Sequence, residues 1–233
     1  MHAEELAKTI DHTLLRPEAV AADVERLCDE AAQYHFAAVC LFPHWVPLAA
    51  HRLSGLDVKV SSVISFPYGA DCTRAKVVAA EEAVAHGADE LDVVMNIPAM
   101  LSGDVMFVRD ELRRIVHAAR VHSVNSGKGA VIVKVIVETC YLSQKLKKLA
   151  CKVVETAGAD FVKTSTGVGP KGATVRDVEL MRDCLAEHVG VKASGGIRTY
   201  ADAALMINAG AARIGTSAGV QIMRDFLGER QAL

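Results

Sequence analysis

Eight short apolar runs, each parted from the next by a stretch with helical spacing, constrain this chain more than any single residue does. The runs, rich in Val, Ile and Phe, fall at residues 10–13, 37–42, 58–66, 90–96, 130–138, 161–165, 190–194 and 213–216. Between them, residues 75–86, 105–121, 142–157, 175–188 and 200–209 repeat apolar side chains every three or four positions, as a helix with one buried face does. Three of these segments stop at a glycine (Gly87, Gly158, Gly210), and a Gly-Ala turn follows each time before the next strand. Strands alternating with helices predict a parallel sheet, and at 233 residues a closed (β/α)8 TIM barrel, one α/β domain over residues 1–233, fits best. A doubly wound open sheet is the alternative. No glycine fingerprint supports it, because the run at 37–42 continues into Pro43-His44-Trp45.

Composition narrows the function classes. A net charge of −2 leaves no basic face for nucleic acid and no polybasic membrane anchor. No apolar stretch approaches the roughly 20 residues that span a bilayer, and residues 1–10 lack the apolar core of a signal segment. A soluble, cytoplasmic protein is expected. The six cysteines (Cys28, Cys40, Cys72, Cys140, Cys151, Cys184) form no C-x-x-C pair and read as reduced thiols. No histidine pairs with a cysteine at ligand spacing, so neither a metal nor a cofactor is expected.

Side chains alternate between lumen and helix layer along a barrel strand. Asp92 then shares a face with Val94 and Asn96, Lys134 with Ile136 and Glu138, Lys163 with Ser165, and Lys192 with Ser194. Leu91, Val93, Val133, Val135, Val162 and Val191 fall on the other parity, which predicts a charged lumen near the C-terminal mouth. Lys163 and Lys192 are one strand–helix–strand step apart and are expected on adjacent strands. A lysine attacks a carbonyl only as the neutral amine, and with an ordinary pKa near 10.4 about one in two thousand is neutral at pH 7. Burial and a neighbouring cation both favour the neutral form. Lys192 is expected to supply that cation to Lys163, with Lys134 adding to the field, Asp92 holding Lys192, and Glu138 available to neutralise one lysine. The purely structural alternative is an Asp92–Lys192 ion pair with Lys163 reaching solvent.

A second group points to phosphate. Gly167, the pair Gly195-Gly196 and the run Gly215-Thr216-Ser217-Ala218-Gly219 follow successive late strands. In barrels such loops and a short helix N-terminus cradle an anion, because small residues expose backbone N–H groups. Ser126-Gly127-Lys128-Gly129 lacks the P-loop spacing and precedes a strand.

Taken in order, Asp11-His12-Thr13-Leu14-Leu15, Asp89-Glu90-Leu91-Asp92-Val93-Val94, Val135-Ile136-Val137-Glu138-Thr139-Cys140, Lys163-Thr164-Ser165-Thr166-Gly167 and Lys192-Ala193-Ser194-Gly195-Gly196-Ile197-Arg198-Thr199 resemble the 2-deoxyribose-5-phosphate aldolase family, from about Leu6 to Met223. The resemblance implies a metal-independent class I aldolase on a (β/α)8 barrel, a lyase of deoxyribose phosphate catabolism. Such an enzyme cleaves 2-deoxy-D-ribose 5-phosphate reversibly to D-glyceraldehyde 3-phosphate and acetaldehyde. It implies Lys163 as the Schiff-base lysine, Lys192 as the lysine that perturbs it and Asp92 as the carboxylate of the proton relay. Asp11, Thr13 and Lys134 are the expected polar contacts in the pocket. Thr166, Gly167, Gly195, Gly196 and Ser217 are those nearer the phosphate. A homodimer or homotetramer is expected, with small phosphosugar and aldehyde substrates as the only other partners. The alternatives are a Schiff-base barrel aldolase for another phosphosugar and a non-catalytic phosphosugar-binding barrel. The chain departs from the family pattern at Phe42, often polar or tyrosine; at Ala218, often a second serine; and at its end, Arg230-Gln231-Ala232-Leu233, where some members carry a tyrosine.

Overall fold

In the computed structural model, which describes residues 1–127 and 129–228, eight parallel strands close into a barrel in sequence order. Lys128 of the Ser126–Gly129 run and the terminal Arg230-Gln231-Ala232-Leu233 lie outside the described residues. The strands are β1 (Ile10–Leu14), β2 (Ala38–Leu41), β3 (Lys59–Ile64), β4 (Glu90–Val94), β5 (Ile132–Ile136), β6 (Phe161–Lys163), β7 (Gly190–Ser194) and β8 (Arg213–Thr216). The helices that surround them are α1 (Ala3–Ala7), α2 (Ala21–Tyr34), α3 (Val46–Arg52), α4 (Thr73–Ala85), α5 (Ile97–Leu101), α6 (Val105–Asn125), α7 (Gln144–Ala157), α8 (Val175–Cys184), α9 (Tyr200–Asn208) and α10 (Gly219–Leu227). The barrel expected from the alternation is the barrel observed. Among the described residues no helix is long and apolar enough to cross a membrane.

The recurrent Gly-Ala turn has a physical basis. Gly87, Gly158 and Gly210 hold φ at 118°, 85° and 106°, in the region that favours glycine, and so turn each helix back toward the sheet. In two of the three turns an aspartate follows and ties down the strand before. Asp89 Oδ2 accepts the Val60 N–H at 2.9 Å, and Asp160 Oδ2 accepts the Val133 N–H at 2.8 Å. Helix starts are similarly written in side chains: Ser143, Thr174 and Thr199 each accept the N–H three residues on.

Several elements, β4 and β6 among them, stop earlier than their apolar patterns, and in three the cause is visible. Left-handed backbone at Ser65 (φ 57°) and Glu138 (φ 52°) turns the chain away after β3 and β5. The third, α8, ends at Cys184 because the Arg182 guanidinium takes the carbonyls of Leu185, Ala186 and Val189 at 3.1, 2.6 and 2.7 Å, holding them outside any helix. Leu91, Val93, Val133, Val135, Val162 and Val191 are fully buried between sheet and helices. The opposite parity is thereby committed to the lumen.

Candidate active site

The barrel register sets the lumen charges side by side. Asp92 is paired with Lys134 across β4 and β5, and Lys163 with Lys192 across β6 and β7. Both oxygens of Asp92 are shared. Oδ2 lies 2.7 Å from Lys163 Nζ and 2.7 Å from Lys192 Nζ; Oδ1 lies 2.9 Å from Lys134 Nζ and accepts the Ser61 hydroxyl at 3.2 Å. Beneath them Lys192 also contacts Asp11, Lys134 reaches Glu90 at 2.5 Å, and Arg213 spans Asp11 and Glu90. Space for this is made by Gly215, where a Cβ would stand 2.9 Å from Ser194 Cβ and 3.1 Å from Lys192 Cε.

Four cationic side chains (Lys134, Lys163, Lys192, Arg213) thus meet three carboxylates (Asp11, Glu90, Asp92), leaving one positive charge in excess. Burial alone would push the Asp92 carboxyl up; Lys134, Lys163 and Lys192 reverse this and hold it well below the ordinary carboxylate range. Burial likewise opposes Asp11, yet Lys192, Arg213 and Lys134 bring it from 3.8 down to about 2. Lys192 goes the other way: against its burial, Asp11 and Asp92 raise it above its ordinary value and keep it an ammonium. Cys40, the third residue of β2, donates its thiol toward Asp92 Oδ2 at 3.8 Å, and burial followed by the Asp92 charge pushes that thiol up.

Above this cluster a cavity of about 370 Å³ opens at the C-terminal mouth. Lys163 is the lysine on its wall, 2% exposed, while Lys134 and Lys192 are wholly covered. Thr13, Thr166, Gly167, Gly195, Gly196 and Ser217 all line the cavity. Asp11 and Lys134 do not; the structure places them under the floor, Lys134 in an ion pair with Asp92 and Asp11 in one with Lys192. Glu138 also departs from expectation. It makes its hydrogen bonds with Thr166, above the lysines, instead of neutralising one of them.

Glycine is required where the mouth loops meet. Gly195 holds φ at 87°, and a Cβ there would lie 2.9 Å from Gly172 Cα and 3.4 Å from Gly167 Cα. Hydroxyls stitch the same rim: Thr216 donates to the Ile197 carbonyl at 2.7 Å and accepts the Ala218 N–H at 2.9 Å. Residues not singled out from sequence complete the picture. Arg16 lines the cavity from a loop that carries no periodic signal, Phe66 from the end of the 58–66 run and Arg198 from the motif at 192–199, neither with a role assigned from sequence. Glu90 and Arg213 join the lumen cluster, and for Glu90 the signal was present, since it shares the strand parity of Asp92. Phe42 packs edge-on against Phe66, ring centres 5.9 Å apart, and so backs the cavity wall with an apolar ring.

An amine at the end of a water-accessible cavity, in contact with an ionised carboxylate and beside a fixed ammonium, can add to a carbonyl and pass protons locally. The glycine-lined rim can accept an anion at the other end of the same ligand. Comparisons with known proteins agree. The deoxyribose-phosphate aldolase of Caldanaerobacter subterraneus subsp. tengcongensis is 52% identical over 221 residues, covering 95% of this chain and 93% of the relative. That of Thermococcus gammatolerans is 53% identical over 221 residues, covering 94% and 95%. The tetrameric deoxyribose phosphate aldolase from Aeropyrum pernix superposes with a TM-score of 0.87 at 38% identity, covering 97% of this chain and 92% of that one. Residues 6–227 match the family description DeoC/LacD family aldolase, and the chain belongs to that family.

Proposed function

We propose that this chain is a class I aldolase that cleaves 2-deoxy-D-ribose 5-phosphate reversibly to D-glyceraldehyde 3-phosphate and acetaldehyde, with Lys163 as its nucleophile. The observation that carries the reading is the position of Lys163: the one lysine of the lumen on the cavity wall, its amine 2.7 Å from a carboxylate that Lys192 also holds. The chain is an aldehyde lyase by family; the assignment of roles to residues is ours.

The neutral Lys163 amine adds to the aldehyde carbon of the open-chain sugar, and loss of water gives the iminium. Asp92, kept ionised by its lysines and covered beneath the cavity, takes the proton of the C3 hydroxyl through a water. The C2–C3 bonding pair then flows into the iminium, glyceraldehyde 3-phosphate departs, and an enamine remains on Lys163. Protonation of its terminal carbon and hydrolysis release acetaldehyde and restore the amine. Lys192, a permanent ammonium between Asp11 and Asp92, disfavours a second positive charge on Lys163 before attack. The phosphate occupies the rim of Gly167, Gly195, Gly196 and Ser217, with Thr13 as a hydroxyl contact and Thr166, its hydroxyl committed to Glu138, shaping the turn.

Reduction with borohydride in the presence of acetaldehyde tests this. An N-ethyl adduct on the Lys163 peptide is expected, and an adduct on another lysine, or none, overturns the assignment. Cleavage of 2-deoxyribose 5-phosphate but not fructose 1,6-bisphosphate separates this activity from that of another Schiff-base aldolase. One barrel, residues 1–233, carries the whole activity in this reading, in the cytoplasm and as a homodimer or homotetramer. Tetramers are recorded for the Aeropyrum pernix relative, and light scattering decides the state here.

A further inference from the structure

We propose that Glu138 is a positioning residue for the phosphate end of the substrate: it fixes the turn Thr166-Gly167-Val168 and, through that turn, the glycine wall that receives the anion. The inference rests on the phosphosugar reading above. Glu138 stands two residues beyond β5, is 2% exposed, and holds φ at 52°. A non-glycine residue keeps such backbone only where its surroundings enforce it. Its Oε2 accepts both the Thr166 N–H, at 3.1 Å, and the Thr166 hydroxyl. The Cys140 thiol donates to Oε1 at 3.7 Å. Thr166 Oγ1 in turn accepts the Val168 N–H at 3.1 Å. A single carboxylate oxygen therefore organises both ends of a three-residue turn, and all three residues line the cavity.

The turn passes its position on. Gly167 and Gly172 meet Gly195 backbone to backbone, close enough that a Cβ on Gly195 would lie 3.4 and 2.9 Å from their Cα atoms. The Ala173 N–H donates to the carbonyls of Ser194 and Gly195 at 3.0 and 3.1 Å. No side chain intervenes to absorb a shift, so a displaced Thr166 turn displaces Gly195 and Gly196 as well. Lys163 has a second anchor of its own. Its carbonyl accepts the Val137 N–H at 3.0 Å within the sheet, and its amine is held by Asp92. The anion wall hangs on the Glu138 side chain, whereas the reacting amine is held by Asp92.

Three variants separate reach from charge and from backbone preference. Glu138→Asn keeps a residue tolerant of positive φ but is one methylene too short for Thr166. Glu138→Asp is equally short with the charge kept. Glu138→Gln keeps the reach. The two short variants are expected to raise KM for 2-deoxyribose 5-phosphate about tenfold or more with kcat within about threefold, while Gln recovers most of the loss. Reductive trapping of acetaldehyde on Lys163 is expected to proceed at the wild-type rate in all three. Unchanged KM in the short variants, or a fall of kcat and trapping in step with KM, overturns the proposal. Calorimetry with inorganic phosphate decides the point without the sugar: about tenfold weaker binding in Glu138→Asn supports it, equal binding overturns it. A wild-type protein that binds phosphate and traps acetaldehyde yet leaves 2-deoxyribose 5-phosphate uncleaved would sink the substrate reading alone.

Discussion

Between α4 and α6, Lys76 Nζ lies 2.7 Å from Glu111 Oε2, both side chains wholly covered, with the Val94 carbonyl accepting a further bond at 3.3 Å. Inside the barrel, Lys163 and Lys192 are just as close to Asp92 and almost as deeply covered. Burial and ion-pair distance do not tell these two places apart. Charge balance and access do. Lys76 and Glu111 match one to one, away from the cavity at the barrel mouth, whereas the lumen holds one cation more than its carboxylates and presents one lysine to a cavity. A buried pair that balances holds helices in register; a buried cluster that does not balance has a proton to lose.

The sharpest way to break this comparison is to exchange lysine for methionine at each place. Lys163→Met should abolish cleavage of 2-deoxyribose 5-phosphate by at least about four orders of magnitude, since the covalent route is gone. The fold should persist, because the remaining three cations match three carboxylates. A variant that kept more than a hundredth of the activity would return Lys163 to a structural role. Next in size is Asp92→Asn, expected to lower kcat about 10²- to 10⁴-fold, with a much smaller change in phosphate affinity. Wild-type turnover in that variant would remove Asp92 from proton transfer. Lys76→Met should do the reverse of both. It leaves Glu111 charged and buried, costing about 3–5 kcal/mol of stability in a denaturant titration while kcat stays near wild type. Replacing both partners, Lys76→Met with Glu111→Leu, should recover most of that loss. A double variant as unstable as the single one would show that the pair does more than neutralise itself.

Much of this contrast was legible in the sequence, for reasons that also mark where legibility ended. Period-two alternation put Asp92, Lys134, Lys163 and Lys192 on one face and their apolar neighbours on the other, and a barrel offers only one place for the polar face. Alternation says nothing about height along the barrel axis. Asp11 and Lys134, pocket contacts by the family resemblance, lie beneath its floor, and the Arg213 bridge to Asp11 and Glu90 depends on strand stagger that no single strand reveals. Glu138 was misread because parity was extended past the end of β5, where a left-handed residue breaks the alternation. Arg16 comes from a loop, which carries no period at all, and Phe66 lies just past the left-handed turn at Ser65 that ends the alternation of β3.

The smallest expected effect tests the floor of the lumen directly. Asp11 titrates near 3.8 when unfolded and near 2 in the barrel, where Lys192, Arg213 and Lys134 outweigh its burial. A carboxyl whose folded value is depressed contributes stability that is complete above the unfolded value and is lost as pH falls through the folded one. The window is therefore between about 4 and 2, and the contribution is about 2 kcal/mol; Asp92 acts in the same direction. Thermal midpoints followed from pH 5 to 2 should fall more steeply for the wild type than for Asp11→Asn, which starts lower and has less to lose. Equal slopes for wild type and Asp11→Asn would mean that the acid sensitivity of the barrel resides elsewhere, and that Asp11 is not what fixes the charge on Lys192.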